Sequence, residues 1–150
     1  MVVSANNIWF NPQAVDLKRL NQRITGTACE QLGIQITEVG DDFIRGTMPA
    51  DHRTFQPEGL VHGGSNVVLA ETLGSLGANL VVDSSKLYCV GQEINANHVR
   101  GVRSGVVTGT ARLAYRGRTS QVWDIRIEDE RGRLTCISRL TMAAVKKTNQ

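Results

Sequence analysis

Between Val61 and Val82 the sequence carries a single formal charge, Glu71, and the stretch opens on His62-Gly63-Gly64. A lone carboxylate among apolar residues is costly when ionised and unpaired, so its presence asks for a chemical reason. Carboxylates attack carbonyl carbons or take a proton from water. Gly63 and Gly64 fall at a helix start, where backbone N–H groups lack an intrahelical partner and the dipole is positive. Such amides suit an oxyanion, and one donor is worth roughly 2.7 to 4 kcal/mol to a transition state. Neither a nucleophile elbow nor a Ser-His-Asp pattern occurs, so nothing supports an α/β-hydrolase mechanism.

One long helix must hold these groups. Leu69, Leu73, Leu76 and Leu80 recur at helical spacing, which makes one face core. On a helical wheel Glu71 lies opposite them, beside Val67, Gly74, Ser75 and Ala78. Gly74, Gly77 and Ala78 are poor choices for a wet surface, and they predict the close approach of another backbone or a ligand. His62, Asn66, Glu71 and Asn79 leave the segment too polar for a bilayer crossing, so no membrane association is expected.

The rest of the chain predicts an antiparallel sheet. Asn11 and Pro12 open a short helix with Val15, Leu17 and Leu20 on its apolar side. Ile34, Ile36 and Glu38 alternate, Gly40-Asp41-Asp42 turns the chain, Phe43 to Met48 returns, and Pro49 closes the hairpin. Residues 50–59 form a polar loop leading into the long helix. Four further strands are expected at about 87–100, 104–116, 119–129 and 133–145, with turns at 101–105 and 129–132. In the third of these, Trp123, Ile125 and Ile127 alternate with Asp124, Arg126 and Glu128. The reading is an α+β fold, an antiparallel sheet of about six strands wrapped around one long central helix, in a single domain over residues 1–150. Residues 1–30 form an N-terminal extension with a short helix and no role beyond packing. Such a sheet leaves the Glu71 side of the helix uncovered, and a homodimer with a site at its interface is the economical cover.

Composition narrows the class. A net charge of +3 with few aromatic residues gives no basic stripe with stacking side chains, so no nucleic-acid partner is expected. Cys29, Cys89 and Cys136 are widely spaced with no metal-ligand pairing, which predicts free thiols, a reducing cytoplasmic setting and no metal. The start, MVVSANNIWFNP, has no basic region followed by an apolar run, so no signal peptide is expected.

Three segments carry a family resemblance: Gln56-Pro57-Glu58-Gly59-Leu60-Val61-His62-Gly63-Gly64, Leu69-Ala70-Glu71-Thr72 with Gly74-Ser75, and 91–100, GQEINANHVR. The HGG turn with Glu nine residues after the His, and INANHVR beyond it, resembles the hotdog-fold acyl-CoA thioesterases over roughly residues 33–145. The match is nearest the branch holding 1,4-dihydroxy-2-naphthoyl-CoA thioesterase, the proofreading thioesterase of aryl siderophore synthesis and one class of 4-hydroxybenzoyl-CoA thioesterase. The resemblance implies a hotdog fold, hydrolysis of an acyl-CoA thioester with an aromatic acyl group, no cofactor, and a homotetramer built as a dimer of dimers. It implies that the Gly63 N–H polarises the thioester carbonyl, that Gln56 lies near it, that His62 supports the loop, and that Glu71 comes from the other subunit. Ser75, one turn beyond Glu71, is placed to hydrogen-bond the attacking water or Glu71.

The resemblance also puts coenzyme A contacts at Gly91, at His98, Val99 and Arg100, and at Tyr115, Arg116, Gly117 and Arg118. His98 and Arg100 share a strand face, and with the arginines of the 116–118 hairpin they make a rim for phosphate and pantetheine. Two arginines depart from the small and apolar residues common at that hairpin in the family. Other readings are a thioesterase acting on acyl- or aryl-carrier proteins and a non-catalytic acyl-CoA-binding protein. A hydratase is a further possibility, but the Asp-His pair typical of hotdog hydratases is not evident.

Overall fold

In chain order the elements are α1 (Leu17–Ile24), α2 (Ala28–Gln31), β1 (Gln35–Val39), β2 (Phe43–Pro49), α3 (Gly63–Val81), β3 (Leu87–His98), β4 (Val106–Arg116), β5 (Ser120–Glu128) and β6 (Leu134–Lys146), preceded by a 3₁₀ turn at Pro12–Ala14. They are taken from a computed structural model that describes residues 6–148. The expectation of a leaderless start rests partly on residues 1–5, which lie outside that range. The strands form one six-stranded antiparallel sheet in the order β1-β2-β4-β5-β6-β3, which leaves β1 and β3 as edges.

Period-two patterning sets which face of the sheet takes the helix. Trp123, Ile125 and Ile127 are fully buried under α3, while Asp124 turns outward to accept a 2.8 Å hydrogen bond from Arg139 on β6. Leu69 and Leu73 are fully buried, Leu76 nearly so, and Leu80 only half-buried. Gly74, Gly77 and Ala78 lie on the sheet side rather than beside Glu71. A Cβ at Gly77 would stand 2.7 Å from the Trp123 ring, and one at Gly74 would stand 2.5 Å from Leu140. Their smallness lets the helix settle into the curved sheet. The face left over is narrow, consisting of Val67, Val68, Glu71, Thr72, Ser75 and Asn79, all half-exposed.

The N-terminal segment departs from the sequence reading. No helix runs on from Asn11 and Pro12, because Asn11 provides no side-chain cap and Pro12 starts only a 3₁₀ turn. Asp16 caps α1 instead, accepting from the Lys18 N–H at 2.9 Å. Thr27 then caps α2 through the Cys29 N–H, and Glu30 reaches back to the Gly26 N–H at 2.7 Å. This Thr-x-x-Glu pattern marks a helix start that the hydrophobic periodicity did not show. Upstream, Trp9 stacks on Trp123 with centroids 6.4 Å apart and donates to the Gly40 carbonyl at 2.7 Å, while the Phe10 N–H donates to the Leu80 carbonyl. No helix among the described residues is long and apolar enough to cross a membrane.

Candidate active site

The loop before α3 is tied to the helix start through Thr54. This buried residue donates to the Pro49 carbonyl at 2.7 Å, and its own carbonyl accepts from the His62 N–H at 2.7 Å and the Ser65 hydroxyl at 3.2 Å. Upstream, hydrogen bonds from Arg53 hold the Asp51 carboxyl down to about 2. His62 is the N-cap, its Nδ1 accepting from the Gly64 N–H at 2.7 Å and its carbonyl accepting from the Ser65 and Asn66 amides. Of the two amides expected to face an oxyanion, Gly64 is therefore engaged. Gly63 alone keeps an N–H with no partner among the described residues. Gln56 is half-buried, and its carbonyl oxygen accepts from the Glu58 N–H, which leaves its amide hydrogens for a ligand.

Behind Gly63 stands His98. A Cβ on Gly63 would come within 2.7 Å of His98 Nε2, so glycine lets the imidazole close against the helix start. Asn66 Nδ2 lies 3.5 Å from His98 Nδ1, and Asn66 Oδ1 is buried with no partner.

Glu71 sits eight residues further along α3 with no hydrogen bond or ion pair among the described residues. Its carboxylate lies over Gly91, where any side chain would collide with Oε1. The register of β3 against β6 shifts between Gly91 and Glu93, so the strand is irregular at this point. An open cleft of about 410 Å³ adjoins the carboxylate, walled by Glu71, Thr72 and Ser75 on α3 and by Arg23, Thr27 and Cys29 from the N-terminal segment. Cys29 Sγ lies 3.2 Å from Thr72 Oγ1. The Ser75 hydroxyl turns to Met142 Sδ at 3.7 Å rather than to Glu71.

The residues expected at the coenzyme A rim fall into two groups. Val99 and Arg100 are exposed, and both their amides donate to the Thr135 carbonyl, beside His98 and Gly63. Tyr115, Arg116 and Arg118 are exposed on the β4–β5 hairpin, whose next residue, Ser120, pairs with Ala143, the β6 partner of Val90. Val90 and His98 are eight positions apart on β3, about 26 Å. One protomer therefore cannot build the single rim expected from His98, Arg100, Arg116 and Arg118. The hairpin accompanies Gly91 and Glu71, and Arg100 accompanies Gly63.

Residues 58–136 match the family described as the thioesterase superfamily, more than half of the chain. This chain belongs to the thioesterase superfamily. The thioesterase is similar to a 1,4-dihydroxy-2-naphthoyl-CoA hydrolase of Escherichia coli, with 46% identity covering 91% of this chain and 98% of the relative. It is likewise similar to the proofreading thioesterase EntH of Cronobacter turicensis, with 47% identity over 86% of this chain and 93% of the relative. Among solved structures, a mutant thioesterase from Pseudomonas aeruginosa superposes with a TM-score of 0.91 at 48% identity, covering 94% of this chain and all of that one at 100%. The hotdog fold and thioester-hydrolase class expected from the sequence both stand.

Two features of the candidate site depend on contacts that the sequence reading did not include. The N-terminal wall went unread, although Leu20 and Ile24 at a spacing of four and the Thr27–Glu30 cap would have placed two helices there. Gly91, expected among the coenzyme A contacts, also lies under the Glu71 carboxylate of the same chain, a contact no local pattern shows.

Proposed function

We propose that the protein hydrolyses acyl-CoA thioesters, with aromatic acyl groups preferred, at a site shared between two subunits. One observation carries this reading: the unpartnered Gly63 amide and the unpartnered Glu71 carboxylate lie on one straight helix eight residues apart, about 12 Å. That is too far for both to act on the same carbonyl within a protomer. The 12-residue edge strand β3, mostly exposed, offers the means of bringing them together. Two copies paired antiparallel about Ile94 and Asn95 of β3, so that Gly91 faces His98 across the seam, set Glu71 of one subunit beside Gly63 of the other. The dimer also unites Arg100 of one subunit with the Arg116–Arg118 hairpin of its partner, restoring a rim for the nucleotide.

In this arrangement the Gly63 N–H and the Gln56 amide polarise the thioester carbonyl. Glu71 either attacks the carbonyl carbon, giving a mixed anhydride that water opens, or deprotonates the water that attacks. In both routes the C–S bond breaks, the CoA thiolate departs, and the proton taken from water is returned to its sulfur. Water is the second substrate, so no cofactor enters. The aromatic preference is supported by the 1,4-dihydroxy-2-naphthoyl-CoA hydrolase relative, and a carrier-protein substrate is the second reading because of the proofreading relative. The free thiols fit a cytoplasmic enzyme, and the dimer pairs again into a tetramer.

The test is a thiol-trapping assay over aryl, short-chain and long-chain acyl-CoAs and aryl-carrier-protein thioesters. Benzoyl-type CoA thioesters are expected to turn over fastest. Glu71→Ala is expected to lower their kcat at least about a hundredfold with folding and assembly intact. Near-wild-type turnover by that variant would falsify the assignment.

A further inference from the structure

Beyond Ser75 and Leu76, where the cleft beside Glu71 stops, a second cavity begins on the same side of α3. Glu71, Ser75 and Asn79 follow one another at intervals of four along α3 and so share one stripe of the helix. Arg23 walls the catalytic cleft and also a second, more enclosed cavity of about 500 Å³, in which Asn79 takes part. Both volumes are within the roughly 300–1,000 Å³ typical of small-molecule sites. The second cavity has mixed walls, apolar at Phe10, Leu80 and Leu87, and carries three cations at its exposed rim, Arg19, Arg23 and Lys147. None of the three forms an ion pair among the described residues. Arg19 and Arg23 are four apart on α1, where like charges repel. Asp16, the acidic residue in the lining, already accepts from the Lys18 N–H. Positive charge in excess over apolar walls describes a receptor for an anion with an apolar body.

We propose that the acyl group runs past Ser75 into this second cavity, and that the favoured acyl groups end in an acidic group held by Arg19, Arg23 and Lys147. The inference rests on the thioesterase reading of Glu71 and names the substrate class of that site. From Glu71 to Asn79 the helix advances about 12 Å, which places the acid that far from the thioester carbonyl, the reach of a medium-length chain or a ring with a distal arm. Glu71 adds to the selection, because its negative charge opposes an acid bound close to the thioester. An anion is the shared chemistry here, and a CoA phosphate is its other source.

The experiment compares decanoyl-CoA with its ω-carboxyl counterpart, in the full-length wild type and in Arg19→Ala/Lys147→Ala. The wild type is expected to favour the acid-tailed thioester by at least about tenfold in kcat/KM, and the double variant to lose that preference because its kcat/KM falls far more for the acid-tailed substrate than for decanoyl-CoA. No preference in the wild type overturns the proposal, as does an equal loss on both substrates, which is what a CoA phosphate in the cavity produces. Calorimetry of the same two thioesters with Glu71→Gln reads the cavity without turnover. Tighter binding of the acid-tailed compound there supports the cavity even if no thiol is released from either substrate by the wild type. That second result sinks the hydrolytic reading alone.

Discussion

Glu71 keeps its carboxylate free because residue 91 has no side chain. A methyl group there would occupy the position of Oε1, so Gly91→Ala is expected to push the carboxylate off its line. The expected outcome in steady-state kinetics is a kcat at least about tenfold lower with KM little changed, the pattern of a group acting in the transition state. Wild-type kcat in that variant would show that the carboxylate's position is not set by Gly91. Arg100 is exposed without an acidic partner among the described residues, so it is free to meet a phosphate. Arg100→Ala is expected to raise KM for an acyl-CoA far more than for the matching acyl-pantetheine, and equal effects on both would remove it from nucleotide binding.

Each element was legible in proportion to how local its signals are. The central helix could be bounded to within two residues because its start is a glycine turn and its leucines keep a single period. The last four strands were equally clear, since alternation and glycine turns are properties of neighbouring residues. What could not be read was pairing across the sheet, which separates Arg100 from the Arg116–Arg118 hairpin, and the docking of α1 and α2 beside Glu71. Both depend on contacts distant in sequence. The docking has a chemical signature in the cysteines. Burial pushes the Cys136 thiol up to about 11 and raises that of Cys89, which keeps both protonated and shielded, whereas Cys29 is half-exposed on the cleft wall. Under native conditions iodoacetamide is expected to modify Cys29 alone, and a non-hydrolysable acyl-CoA analogue to slow that reaction. Mass spectrometry of the alkylated peptides checks this, and labelling of Cys136 in the folded protein would contradict it.

For the molecule as a whole, β3 is the exposed edge on which the proposed shared site depends. Val90 is 43% exposed on that strand, immediately before the irregular register between Gly91 and Glu93. Val90→Glu puts a charge on the exposed edge strand, where pairing with a second copy would bury it without a partner. Light scattering is expected to report a monomer for this variant, with thiol release lost in parallel. A monomer that keeps full activity would mean that one protomer suffices. The paired indoles of Trp9 and Trp123 have a practical consequence for following such changes. They are the chain's entire complement of tryptophan, one lying on the strap ahead of α1 and the other beneath the central helix. Intrinsic fluorescence therefore reports on a single junction, and a red-shifted emission would signal the strap peeling away before the sheet itself melts.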